Sequence, residues 1–91
     1  MKRYVIERHI PNAGQMSPSE LSLAAQHSHQ VLKGLGCDIQ WLHSYVTDDK
    51  LFCVYLAKSP ELIQRHAQIS GFPADTICEV RSVLDPSYAA A

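Results

Sequence analysis

The residues with chemistry to offer recur two positions apart: Glu7 and His9; Trp41, His43 and Tyr45; Cys53 and Tyr55; Glu79 and Arg81. In a β-strand, residues two apart point to the same side of the sheet. Strands carrying these sets side by side would present imidazoles, carboxylates and a thiol among aromatic rings. A merely solvated sheet face would hold Lys, Thr, Ser and Glu instead. Imidazole with carboxylate or thiol suits a divalent transition metal such as nickel, zinc or copper. Aromatic rings around converging polar groups suit a small-molecule pocket or a dimer interface equally well. No HExxH, CxxC or HxxxH spacing narrows the choice. Among these residues His43 stands out, because Trp41 and Tyr45 flank it on its own strand.

The other histidines are different. His27 and His29 are two apart on a predicted helix, about 200° around its axis, so they cannot chelate one ion together. They read as exposed polar residues. His66 falls in the middle of an apolar helical stripe of Leu62, Ile63, Ala67 and Ser70. A buried ring nitrogen needs a partner, and Tyr4 and Cys78 are its expected neighbours. Both a satisfied core histidine and a metal-binding or proton-transferring one fit that position.

These residues need elements to position them. Lys2–His9 is a β-branched and aromatic stretch that ends at the Pro11–Gly14 turn. Ser17-Pro18-Ser19-Glu20 is a helix start, with Ser17 as N-cap, Pro18 at N1 and Glu20 closing a capping box. Leu21, Ala24, Ala25, Ser28, Val31, Leu32 and Leu35 then follow the helical period, and Gly34 and Gly36 mark the stop. Ile39–Val46 and Leu51–Ala57 form a hairpin around the polar Thr47–Lys50 turn. Ser59-Pro60-Glu61 caps a second helix to about Ser70, ended by Gly71 and Pro73. Thr76–Leu84 is the last strand.

The order βαββαβ is the split-βαβ or ferredoxin-like unit, an α+β fold with a four-stranded antiparallel sheet and two helices on one face. Alternation is expected to turn Tyr4, Ile6, Leu42, Ser44, Val46, Phe52, Val54, Leu56, Cys78 and Val80 toward the helices. The open face then collects Glu7, His9, Trp41, His43, Tyr45, Cys53, Tyr55, Glu79 and Arg81.

Length and composition set the bounds. Ninety-one residues make one domain, expected over residues 1–85 with a frayed tail at 86–91. Apolar residues are 46% of the chain, enough for a core. Eight basic residues against nine acidic ones leave a net charge of −1, without the basic footprint of a nucleic-acid binder. No apolar run approaches a membrane span, and no signal-peptide stretch follows Met1–Tyr4, so a cytoplasmic location is expected. Cys37, Cys53 and Cys78 are odd in number and far apart, and are expected to be free thiols acting as small buried hydrophobes.

Several segments carry a resemblance. Tyr4–Pro11, Trp41–Val46, Lys50–Ala57, His66-Ala67, Gly71–Asp75 and Glu79-Val80 together resemble a family of small ferredoxin-like bacterial nickel-binding proteins, otherwise known as a domain of unknown function. The likeness covers nearly the whole chain, in order and with matching spacings. It implies a nickel-binding homodimer. His9 stands where the family commonly has an acidic residue, which could alter a metal preference at that position.

Two functions follow. One is a non-enzymatic homodimer binding a divalent transition metal through His43, His9, Glu7 and Glu79, with His66 as a further candidate ligand. The other is a dimeric α/β-barrel enzyme or small-molecule binder, with Trp41, Tyr45, Cys53 and Tyr55 lining a pocket around His43. No nucleophile-plus-base motif and no cofactor loop favours the enzyme.

Overall fold

In the computed structural model, which describes residues 1–90, the chain runs β1 (Lys2–His9), α1 (Pro18–Leu35), β2 (Ile39–Val46), β3 (Lys50–Ala57), α2 (Pro60–Ser70) and β4 (Thr76–Glu79). Short 3-10 turns occupy Ala13–Gln15 and Pro86–Ala90. The four strands form one antiparallel sheet in the order β2-β3-β1-β4. This is the ferredoxin-like arrangement expected from the element order. Ala91 lies outside the described residues, and of the tail expected to fray, Pro86–Ala90 forms the second 3-10 turn, exposed throughout.

Local chemistry sets the boundaries. The Ser17 hydroxyl accepts from the Glu20 backbone N–H, and Glu20 accepts from the Ser17 N–H, both at 3.1 Å, so the capping box is complete. Ser59 stands at the N-cap of α2 without a side-chain cap bond; Pro60 at N1 starts that helix by its fixed φ. α2 stops at Gly71, whose φ of 81° is left-handed and whose N–H bonds to the Ala67 carbonyl. Gly34 lies within α1, and Gly36 is its C-cap. Gly14 packs so tightly on the β2–β3 hairpin that a Cβ there would lie 2.9 Å from the Asp48 Cα.

The core lies between sheet and helices. Tyr4, Ile6, Cys53, Tyr55, Ala57 and Ile39 of the sheet meet Leu32 of α1 and Ile63 of α2. This reverses the expected facing of β3. Cys53 and Tyr55 point toward the helices, and Phe52, Val54 and Leu56 are only half-buried on the other side. The reason is that both faces of β3 are apolar, so alternation gives its period without its phase. Pairing fixes the phase: Tyr4 sits opposite Tyr55 and Ile6 opposite Cys53. β4 is reversed as well. Ile77 pairs with Ile6 and Glu79 with Tyr4, while Cys78 pairs with Val5 and is exposed on the open face. β4 also ends at Glu79, not Leu84.

β2 contains a bulge. Trp41 pairs with Tyr55 and His43 with Val54, leaving Leu42 unopposed. Trp41 therefore shares the helix side with Ser44, and its indole N–H donates to the Ser44 hydroxyl at 3.0 Å. His43 and Tyr45 keep the open face as expected.

Candidate functional site

Four of the nine residues expected on the open face are there: Glu7, His9, His43 and Tyr45. Glu7 and His9 form a pair on β1. Glu7 Oε1 lies 3.8 Å from His9 Nε2 and 2.7 Å from the Lys50 ammonium. Thr76 donates to the other carboxylate oxygen at 3.4 Å. The Lys50 hydrogen bond holds the Glu7 carboxyl below its ordinary pKa, so it is an anion at neutral pH. Asp75 steadies this end of β1 by accepting the His9 backbone N–H at 2.6 Å.

His43 and Tyr45 stack edge to face, with ring centroids 5.1 Å apart. They do not reach the Glu7–His9 pair. β3 lies between, with Val54 separating His43 from Val5 and Phe52 separating Tyr45 from Glu7. Two strand spacings make that gap roughly 10 Å. Val5, Phe52 and Val54 thus form an apolar strip between two polar ends, and Tyr45, 61% exposed, borders it. Among the described residues, no group of three or more His, Cys, Asp or Glu side chains could hold a metal ion. One chain offers nickel a carboxylate and an imidazole of suitable chemistry, and not a whole shell.

Two expected ligands lie elsewhere. Glu79 faces the helix side at the sheet's edge, where Arg81 (2.8 Å) and Lys2 (3.5 Å) take its carboxylate. His66 is 0% exposed. Its Nε2 pairs with the Ser28 hydroxyl at 3.1 Å and its ring lies 5.6 Å from that of Tyr55, while Cys78 is on the opposite face of the sheet. Burial, with the positive charge of Arg8 behind it, lowers the His66 pKa to about 4. Its Nδ1 has no hydrogen-bond partner. His27 is exposed, as expected, and binds the Ser70 carbonyl at the end of α2 (2.8 Å), edge-on to Phe72. Of the three free thiols only Cys53 is buried.

The pocket expected around His43 is on the other side of the sheet. A cavity of about 530 Å³ opens beneath α1. Leu21, Ala24, Ala25 and Ser28 line it from the helix, and Trp41, Ser44, Leu51, Cys53 and Tyr55 from the sheet. Phe72 and Pro73 close one side, and Tyr45 takes no part. Arg8, which sequence reasoning passed over, also lines it while being 2% exposed. The available signal was alternation, since Arg8 follows Tyr4 and Ile6 on the inward side of β1.

A ferredoxin-like sheet with both helices on one face, and a carboxylate–imidazole pair on the other, defines a small α+β domain with an uncovered sheet. The sequence matches the family model described as nickel responsive protein, SCO4226-like, over residues 4–80, and the chain belongs to that family. The crystal structure of SCO4226 from Streptomyces coelicolor A3(2) is similar, with a TM-score of 0.75 and 19% identity over 90% of this chain and 99% of that one. At that identity the likeness speaks for the fold. No curated protein matches the sequence. No helix among the described residues is long and apolar enough to cross a membrane.

Proposed function

We propose that this protein is a homodimer that binds nickel, each copy contributing Glu7 and His9 from its open sheet face. The observation that carries this reading is the placement of an ionised carboxylate and an imidazole 3.8 Å apart on one strand. Membership of a nickel-responsive family supports nickel as the metal; the donors by themselves suit zinc or copper as well. The uncovered strip of Val5, Phe52 and Val54 beside the pair supports assembly, because water contact with such a strip is unfavourable. In a two-fold pairing of open faces, whatever residue i meets on the second copy meets it in return. His43 of one copy laid over Glu7 and His9 of the other completes a three-donor shell twice per dimer.

Calorimetric titration of untagged protein with nickel chloride, beside sedimentation velocity, tests this. One nickel per chain in a dimer is expected, with affinity falling at least tenfold in Glu7→Gln, His9→Ala and His43→Ala. Loss in the first two variants alone would remove His43 from the shell. A monomer at micromolar concentration, or nickel binding that ignores Glu7→Gln and His9→Ala, would overturn the proposal.

A further inference from the structure

Arg8 is a buried cation without an anion. Its guanidinium is permanently charged, and burying such an ion costs several kcal/mol unless a partner compensates. Only neutral groups do so here. Nε donates to Cys53 Sγ at 3.4 Å, Nη1 to the Pro73 carbonyl at 2.6 Å, and Nη2 to the Tyr55 hydroxyl at 3.5 Å. The four ion pairs among the described residues involve Lys2, His9, Lys50 and Arg81, not Arg8. A guanidinium has five N–H donors, so two are left for something outside the protein. His66 on the same side is neutral at pH 7 and adds no charge.

The cavity that Arg8 lines is too large to be a packing defect. Protein interiors hold few voids bigger than a water molecule, whereas about 530 Å³ lies within the range of small-molecule sites. Its origin is in the sequence. The sheet-facing stripe of α1 offers Ala24, Ala25 and Ser28 where a filled core would have Leu, and these stand opposite the small Ser44 and Cys53.

We propose that this cavity binds a small organic monocarboxylate, its carboxylate on the Arg8 guanidinium and its hydrocarbon body against Ala24, Ala25, Trp41 and Leu51. Arg8 is the one permanent positive charge in a mostly apolar lining, since His9, its other basic residue, faces the Glu7 carboxylate; that matches a monoanion better than a phosphate dianion. Planar carboxylate also fits the fork of N–H donors that arginine presents.

Trp41 is the only tryptophan, and it lines the cavity, so its emission reports occupancy. Octanoate should shift that emission and raise the melting temperature at millimolar concentration. Octanol, of the same length without the charge, should bind at least about tenfold more weakly, and octylamine not at all. Arg8→Met should abolish the preference for octanoate over octanol. Ala25→Phe, which fills the cavity, should lose both ligands while the variant stays folded and binds nickel as wild type does. Octanol binding as tightly as octanoate would overturn the proposal, as would undiminished octanoate binding in Ala25→Phe. Should Arg8→Met fail to fold, the octanoate-to-octanol ratio in wild type and the Ala25→Phe result decide the matter by themselves.

Discussion

The Lys50 ammonium lies 2.7 Å from Glu7 Oε1, the same oxygen that faces His9 Nε2. A metal ion seated between Glu7 and His9 must therefore displace Lys50 or share the carboxylate with it. Exposed ion pairs are weak, so the displacement is an adjustable brake and not a block. Lys50→Ala should tighten nickel binding by about threefold at low salt, with the gap closing as salt screens the wild-type pair. Titrations at 20 and 300 mM sodium chloride check this, and equal affinities at low salt would mean that the metal sits elsewhere.

The apolar strip on the open face makes a separate prediction about assembly. Phe52 stands in the middle of it, opposite Glu7 on one side and Tyr45 on the other. Phe52→Glu should place like charges across the two-fold and shift the dimer to monomer, measured by sedimentation at micromolar concentration. Since Phe52 is half-buried and outside the core, the melting temperature of the diluted protein should change little. A dimer that survives Phe52→Glu pairs through another surface.

His66 gives the molecule a pH dependence of stability. Its folded pKa of about 4 is below the ordinary histidine value of about 6.5. The unfolded chain therefore takes up a proton first as pH falls. Stability from the neutral ring is complete above about pH 6.5 and is lost progressively toward pH 4, on the order of 3 kcal/mol in all. His66→Gln keeps a partner for Ser28 without the titration, so it should be less stable at pH 7 and lose less between pH 6.5 and 4.5. Urea midpoints at both values check it, and parallel losses in the two proteins would assign the acid sensitivity to another group. Nickel affinity should be the same in both, because His66 is sealed in the core.

The order of elements, the capping box and the sheet topology were all legible in the chain, because each depends on local signals that nothing contradicts. The phase of two strands was not. In β3 the sets Phe52-Val54-Leu56 and Cys53-Tyr55-Ala57 are both apolar, and the smaller set went inside. Ala57 and Cys53 leave room for the helices, and Tyr55 extends its ring to His66 and its hydroxyl toward Arg8. In β4 the same ambiguity was decided by pairing with β1. Glu7 and His9 were placed correctly because β1 separates a Tyr-Ile-Arg face from a Val-Glu-His one. The Glu7–His9 pair was thus readable, while the cavity lies on the side of the sheet away from His43 and its arginine was missed.

The bulge at Leu42 is what divides Trp41 from His43. Were Leu42 paired in regular alternation, with no bulge, Trp41, His43 and Tyr45 would share one face. With it, Trp41 enters the cavity beneath α1 and His43 stays on the open face. Leu42 is the unopposed residue, so deleting it should join Trp41 directly to His43 in regular pairing, with both still facing as they do now. The half-buried Leu42 side chain and the local twist are lost, which should cost on the order of 1 kcal/mol. Trp41 emission should remain that of a partly buried indole, and the response of that emission to octanoate should persist. Inserting one alanine after Leu42 keeps the spacing odd, so both rings keep their faces, but it moves one half of β2 two residues along β3. Either Trp41 slides away from the cavity or His43 slides away from its place beside Val54. The insertion should therefore impair either the octanoate response or nickel binding, whereas the deletion spares both. A folded deletion variant that loses either response, or an insertion that leaves both intact, would show that these pairings do not place the two residues.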